Sequence, residues 1–330
     1  MAKYSIGIDL GGTKILAAIV DTLSGEVVFS AKKKTKKDKG AEKITKKVID
    51  LIQELSDNSG IKLSQIDSVG LGLAGQVDRK KGVLIASPNL DCFNVNFKAA
   101  IEEKYNIPVF VGNDVEVATL GELVFGAGKG HKNFVCVFVG TGVGSGIVIN
   151  GRLHSGYTGT AGEIGHIIVA QGGRACGCGA NGCLEAYASR TAIEQKIKGA
   201  IKKGHNSVIT DLIKDDGIIR SKYLKTALEQ GDELVLSCIT EAAEYLSSGL
   251  ASVINFFNPE IIILGGGMIG AIDFFFDLTT RKTLSKSLPT PSEKTIIEKA
   301  KLGDFSGVVG AAILKKYREK GACHSELDSE

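Results

Sequence analysis

The sequence has no apolar run of the roughly 18–20 residues that a membrane-spanning helix requires, so no membrane span is expected. No cleavable leader is expected either. MAKYSIGIDLGG enters a strand pattern at once, and a cytoplasmic protein without membrane contact is the expectation. Charge of one sign is scarce: 40 Lys and Arg stand against 37 Asp and Glu, a net +3, too even for a chain whose main partner is nucleic acid. Nine lysines do crowd into residues 32–47, where they read as a solvated loop and helix face. The cysteine count, seven, is odd, and without a secretion signal a metal site fits better than a disulfide framework. What is present, 330 residues with 43% apolar content, suffices for two domains or one large one.

The densest chemistry runs from Glu163 to Glu185, EIGHIIVAQGGRACGCGANGCLE. Cys176, Cys178 and Cys183 share a Gly-rich loop, and His166 stands ten residues before the first of them. Three thiolates and an imidazole suit one tetrahedral Zn²⁺ whose four positions are all filled by protein, a structural rather than a catalytic ion. Glu163 and Glu185 are poor companions for thiolates and read as pocket residues that the metal holds in place. Cys92, Cys136, Cys238 and Cys323 are scattered and read as inert thiols.

Taken in order, YSIGID (4–9), LGGTK, ILAAIVD, the turn signal DTLSGE and VVFSA predict a meander of three antiparallel strands. A dinucleotide-binding unit would need a helix and GxGxxG spacing there, and has neither. The turn at Gly11 and Gly12 instead offers bare amides to an anion, with Thr13 and Lys14 beside it. Ile44, Val48, Leu51, Ile52 and Leu55 fall on one helical face. A strand (68–75), a helix near 96–105 and a buried strand (107–114) follow, the last ending in Asn113 and Asp114. On residue type alone that pair reads as a helix cap, with Asp114 at the positive dipole end.

Residues 134–149 repeat the opening scheme of strand, Gly-Thr-Gly turn and strand, which implies two similar α/β halves with a cleft between them. Helices are expected at about 184–200, 205–230 and 232–257, the last stopped by Asn258 and Pro259. GGGMIG (265–270) matches GxGxxG after a strand, yet no βαβ unit tipped by an acid is expected to follow, which argues against a dinucleotide site. A last helix at about 307–319 and a loose tail close the chain.

In this order DLGGTK (9–14), GND (112–114), GTGVGSG (140–146), EIGH (163–166), CGCGANGCLE (176–185) and GGG (265–267) resemble the motifs of the ROK family of sugar kinases and sugar-sensing repressors over nearly the whole chain. The resemblance implies a two-domain α/β fold of the actin-like, ribonuclease H-like ATPase type seen in hexokinases, with the cleft between duplicated domains. A small domain of residues 1–122 plus a C-terminal helix at about 307–330 would accompany a large one of 123–306 with the zinc loop. The implied activity is transfer from ATP, with Mg²⁺, to the 6-hydroxyl of a hexose, nearest the bacterial glucokinases. N-acetylhexosamines or fructose are alternative acceptors, and a sugar-sensing regulator without kinase activity is the alternative of another class. A repressor's helix-turn-helix arm is not expected ahead of a strand that begins by residue 4. No nucleic-acid partner is implied; a homodimer or homotetramer is.

The resemblance also assigns roles. Asp9 orients Mg²⁺ through water, Gly11, Gly12 and Thr13 face the γ-phosphate with Lys14 nearby, and Thr141, Gly142 and Gly144 cradle the phosphates. Gly265, Gly266 and Gly267 lie beside the adenosine. Glycine at the two turns would permit close backbone approach and φ > 0. Asp114 is the general base, and Gly75, Asn89, Asn113, Glu163, His166 and Glu185 touch sugar. His166 would bind zinc through one ring nitrogen and a sugar hydroxyl through the other.

Overall fold

Alternation of burial, or its absence, decides where each strand lies. In the computed structural model, which describes residues 3–35, 40–213 and 217–325 (320–325 by backbone alone), β1 (Tyr4–Leu10) and β2 (Lys14–Asp21) are buried almost throughout, as strands covered on both faces must be. β3 (Val27–Lys34) alternates, as an edge strand does. Lys36, Lys37 and Lys39 of the lysine run, the side chain of Cys323 and residues 326–330 of the tail lie outside the described residues.

The chain divides into two units, Met1–Lys129 with Asp304–Glu330, and Gly130–Gly303. In the first, β1, β2 and β3 form the expected antiparallel meander, and β4 (Ile66–Leu73) and β8 (Val109–Asn113) extend it in parallel to give the order β3-β2-β1-β4-β8. Between them in sequence, β5 (Gln76–Asp78), β6 (Val83–Ser87) and β7 (Cys92–Asn96) make a small antiparallel sheet. Helix Ala41–Ser59 covers one face with Ile44, Val48, Leu51, Ile52 and Leu55, and stops at Gly60 in the left-handed conformation, φ 76°. Helix Ser306–Ala312 lies on the other face with backbone against backbone. A Cβ on Gly7 would stand 1.8 Å from the Val308 carbonyl oxygen, one on Gly70 1.8 Å from that of Ala311, and one on Gly310 1.7 Å from that of Val117 in helix Asp114–Phe125.

The division falls after Lys129 and Gly303 rather than at residues 122 and 306. Glu122, fully buried, accepts hydrogen bonds from the Ala127 N–H and the Ser306 hydroxyl, each at 2.8 Å, and so fastens both stretches to the first unit.

The second unit repeats the plan. β9 (Phe134–Val139), β10 (Val143–Ile149) and β11 (Arg152–His154) are antiparallel, and β12 (Ile261–Gly265) and β13 (Ile296–Lys299) add in parallel, giving β11-β10-β9-β12-β13. Its core is organised by helix Glu233–Phe257, which Asp232 caps by accepting from the Val235 N–H at 2.9 Å and left-handed Asn258 ends.

Two expectations are corrected. A βαβ unit does follow the late glycines, because β13 pairs in parallel with β12; the helix that opens there, Gly267–Ala271, is only five residues long. The chain end is helical through Ser325 rather than loose from residue 321.

Candidate functional site

In the first unit the candidate residues gather at the carboxyl ends of the parallel strands β1, β4 and β8, where open α/β sheets place their ligands. The turn after β1 is closed by the Gly11 N–H donating to the Lys14 carbonyl at 3.0 Å. Neither Gly11 nor Gly12 has a positive φ, nor do Gly142 and Gly144 of the second turn, which corrects that part of the expectation. Gly12 is constrained by space instead: a Cβ there would meet the Asn89 Cβ at 3.1 Å. Asn89 is exposed, on the turn Pro88–Leu90. The Thr13 carbonyl accepts from Thr35 N–H at 3.1 Å, and Lys14 pairs at 2.9 Å with Asp304, an acid the motifs did not single out because it lies 290 residues away.

Asp9 sits partly buried at the end of β1. Burial, then the neighbouring Asp114 carboxylate, and more weakly Asp304, push it up to about 7 against the opposing pull of Lys14. Gly307 presses on it, with room for no side chain: a Cβ would lie 3.0 Å from the Asp9 carboxyl carbon. Carboxylates that act on one another in this way are hard oxygen donors of the kind that suits a divalent cation such as Mg²⁺.

Asn113 is the cap of helix Asp114–Phe125. Its Oδ1 accepts from the Val115 N–H at 2.9 Å and the Glu116 N–H at 3.3 Å, while Glu116 reaches back to the Asn113 N–H at 3.3 Å. NDVE carries this capping box in its sequence, with asparagine at the cap and glutamate three residues on. Asn113 Nδ2 donates to the Gly75 carbonyl at 3.2 Å, which brings those two candidates together and leaves one amide hydrogen for a ligand. Gly75 does require glycine, at φ 145°. Asp114 occupies the first helical position, partly buried, with its Oδ1 3.0 Å from the Val115 N–H.

In the second unit the turn between β9 and β10 is fastened from below by residues 185–191. Glu185 Oε2 accepts from the Val143 N–H at 2.9 Å, and a Cβ on Gly142 would collide with that oxygen at 2.3 Å. The Thr191 hydroxyl donates to the Thr141 carbonyl at 2.7 Å, Arg190 N–H to the Gly140 carbonyl at 2.9 Å, and the Arg190 guanidinium to the Thr141 hydroxyl at 3.3 Å. Arg190 and Thr191 were missed, since nothing local in the sequence ties them to residue 141. Gly144 lies within β10, opposite Phe138.

Gly265 and Gly266 stand at the matching end of β12. A Cβ on Gly265 would lie 2.6 Å from the Phe138 ring, and Gly266, at φ 87°, packs on the Val139 backbone, so packing alone demands glycine at both; Gly267 opens the short helix.

The metal candidates converge. Ligand atoms of His166, Cys176, Cys178 and Cys183 all lie within 4.8 Å of one another, with Cys178–Cys183 at 3.6 Å between sulfurs and Cys176 Sγ–His166 Nδ1 at 3.8 Å. A tetrahedral zinc with Zn–S of about 2.3 Å and Zn–N of about 2.0 Å needs edges of about 3.5–3.8 Å, so the set fits. Burial, followed by the facing Cys178 and Cys176, pushes the Cys183 thiol up to about 12, so a cation is what would let these sulfurs share one site as thiolates. The loop is built to converge. Cys176 N–H donates to the Ala180 carbonyl at 2.8 Å, Leu184 N–H to that of Ile167 at 2.9 Å, and Gly182, at φ 83°, passes so near Ala170 that a Cβ would lie 1.9 Å from its carbonyl oxygen. Arg174 anchors the loop to helix Glu233–Phe257 through both carboxylate oxygens of Glu241, at 3.0 and 2.9 Å. His166 is exposed and turns Nδ1 to the Cys176 sulfur, which leaves Nε2 as its second ring nitrogen. Glu163 is exposed and opens the turn Ile164–His166.

Comparison with known proteins agrees with this arrangement. The ROK family model matches residues 5–318. A glucokinase of Thermotoga maritima is 34% identical over 317 residues, covering 96% of this chain and 98% of its own. The crystal structure of a ROK family glucokinase from Streptomyces griseus, in complex with glucose and AMPPNP, superposes with a TM-score of 0.83 at 34% identity, covering 94% of this chain and 98% of that one. A xylose repressor of Caldicellulosiruptor bescii is 31% identical over 305 residues, covering 92% of this chain and 76% of the repressor.

Proposed function

The chain belongs to the ROK family, and on that premise we propose that it is a glucokinase, transferring the γ-phosphoryl group of ATP to the 6-hydroxyl of glucose. Its fold is the two-domain, hexokinase-like form of the actin-like ATPase fold. The observation that carries the proposal is the near full-length match, at 34% identity, to a glucokinase that binds glucose and AMPPNP.

Phosphoryl transfer asks a protein for positioning and charge stabilisation more than for covalent work. We assign Asp114 as the general base: it takes the proton from the attacking hydroxyl as that oxygen bonds to the γ-phosphorus and the bond to ADP breaks. Asn113, with its spare amide hydrogen, Asn89 and Gly75 would orient the sugar beside it. Glu163, His166 through Nε2 and Glu185 through Oε1 would hold further hydroxyls, since a carboxylate accepts strong, charge-assisted bonds. Gly11, Gly12, Thr13 and Lys14 would contact the γ-phosphate, Thr141, Gly142 and Gly144 the other phosphates, and Gly265, Gly266 and Gly267 the adenosine. Asp9 would hold Mg²⁺ through water; the ion, when bound, neutralises charge on the phosphate oxygens. Zn²⁺ on His166, Cys176, Cys178 and Cys183 would brace the sugar-binding residues.

The decisive experiment is ADP formation by purified protein with Mg-ATP and glucose, mannose, fructose, N-acetylglucosamine and N-acetylmannosamine in turn. Glucose is expected to give the highest kcat/KM, and a rate that no sugar raises above the sugar-free blank overturns the kinase reading. A cytoplasmic location accords with the absence, among the described residues, of a helix long and apolar enough to cross a membrane. A homodimer or homotetramer is the assembly we propose, and light scattering tests it.

A further inference from the structure

A basic pocket in the first unit takes no part in the functions assigned above. It has a volume of about 420 Å³ and is lined by Arg79, Lys80, Lys98, Val109, Phe110 and Arg318. Val109 and Phe110 open β8, at the end of that strand opposite Asn113 and Asp114. Four cations thus surround a patch of valine and phenylalanine.

Among the described residues, three carboxylates stand beside this cluster. Glu116 takes the Arg79 Nε at 2.8 Å, and Glu102 stands 3.8 Å from Lys98. Asp78 accepts from the backbone N–H groups of Lys80 and Lys81 and faces the Lys81 ammonium at 4.0 Å. Arg318 is held by neutral groups: its guanidinium donates to the Val111 and Arg79 carbonyls and lies 5.9 Å from the centre of the Phe110 ring. Glu116 is the acid that acts on it electrostatically, so one carboxylate serves two guanidiniums. Planar guanidiniums offer parallel N–H groups at the spacing of phosphate oxygens, and lysines add point charges around them.

We propose that this pocket is a binding site for a phosphoryl dianion, either inorganic phosphate or the phosphate of a small phosphate ester such as a sugar phosphate, whose organic part would rest on Phe110. The site is wired to the cap of the helix that carries Asp114. The Glu116 oxygen that takes Arg79 also accepts the Asn113 N–H at 3.3 Å, so an anion drawing Arg79 away from Glu116 loosens that cap.

The test is calorimetric titration of the full chain with inorganic phosphate and, separately, with glucose 6-phosphate, on the native protein and on the double variant Lys80→Glu, Lys98→Glu. Lys80 is exposed and Lys98 half-buried, so both reversals are compatible with folding, which circular dichroism checks. The expected result is a saturable site in the native protein that the double variant weakens by at least about tenfold and that rising salt also weakens. Tighter binding of the ester identifies a sugar phosphate as the ligand; equal binding identifies phosphate itself. A native protein with no saturable site for either anion, or one whose sites the double variant leaves unchanged, overturns the proposal. Phosphate binding at the reaction centre survives the double substitution and is told apart in this way.

Discussion

The Glu185 carboxylate accepts the Val143 N–H at 2.9 Å, and a Cβ on Gly142 beside it would stand 2.3 Å from the same oxygen. A residue assigned to sugar, two positions after the metal candidate Cys183, therefore also holds the turn assigned to the ATP phosphates. Glu185→Ala is expected to raise KM for glucose and for ATP together. Loss of a hydrogen bond to a charged group, about 1.5–3 kcal/mol, corresponds to roughly a 10- to 100-fold fall in each kcat/KM. Steady-state kinetics with each substrate varied in turn checks this; an unchanged ATP constant would show that the carboxylate does not position the turn.

Asp114→Asn is the corresponding test of the base. Asparagine keeps an oxygen to accept the Val115 N–H, so the helix start survives while proton acceptance is lost. The expected outcome is a fall in kcat of about 10²- to 10⁴-fold with KM for glucose little changed. Full activity would remove Asp114 from the chemistry and leave the family placement standing.

Cys178 is the exposed member of the cysteine set and Cys183 the fully buried one. Cys178→Ser therefore opens no cavity in the core, and any large loss of stability reports the metal. The native protein should carry about one zinc per chain by elemental analysis; the variant should lose it and unfold at lower temperature, as should the native protein with a strong chelator. Native protein that is well folded and free of zinc would refute the metal assignment.

The β1–β3 meander is legible from residues 4–34 because each strand is short, apolar and bounded by turn residues, and the duplicated plan is legible because the same strand, glycine turn and strand recur at 134–149. The convergence of His166 with the three cysteines is legible for a similar reason, its ligands lying within eighteen residues. β13 escapes notice because IIEK is four residues long and only half-buried, with a helix break at Ile272 and Pro289 between it and β12. Glu185–Val143, Thr191–Thr141 and Lys14–Asp304 leave no local signature at all, since each joins residues that only the tertiary fold brings together. The glycines of both turns invite an argument from φ, whereas the structure sets Gly12 tightly against Asn89 and Gly142 against the Glu185 carboxylate.

That distinction can be measured at positions far from any ligand. Gly70 and Gly199 are both glycines in regular structure, but a Cβ on Gly70 would lie 1.8 Å from the Ala311 carbonyl oxygen whereas one on Gly199, inside helix Arg190–Lys202, meets nothing within 4 Å. Gly70→Ala must push helix Ser306–Ala312 off the sheet and is expected to cost about 3 kcal/mol or more. Gly199→Ala removes backbone freedom from the unfolded chain and should stabilise by about 0.5–1 kcal/mol. Denaturant titration of both variants decides it, and equal effects would mean that helix Ser306–Ala312 does not press on β4.

Asp9 gives stability one specific dependence on pH. Its carboxyl is pushed up to about 7 from an ordinary 3.8, so the folded protein holds this proton more tightly than the unfolded chain does. Below the ordinary value both states are protonated and there is no penalty. As pH rises towards 7 the unfolded chain ionises first, and stability falls through that window; above it the folded form is ionised too and the penalty stays constant. A rise from 3.8 to about 7 corresponds to on the order of 4 kcal/mol. Asp9→Asn cannot ionise, so without nucleotide or Mg²⁺ its melting temperature relative to the native protein should rise between pH 5 and pH 8, and the gap should then stop growing. A gap that stays constant from pH 4 upward would show that Asp9 ionises in the folded protein as it does in the unfolded chain.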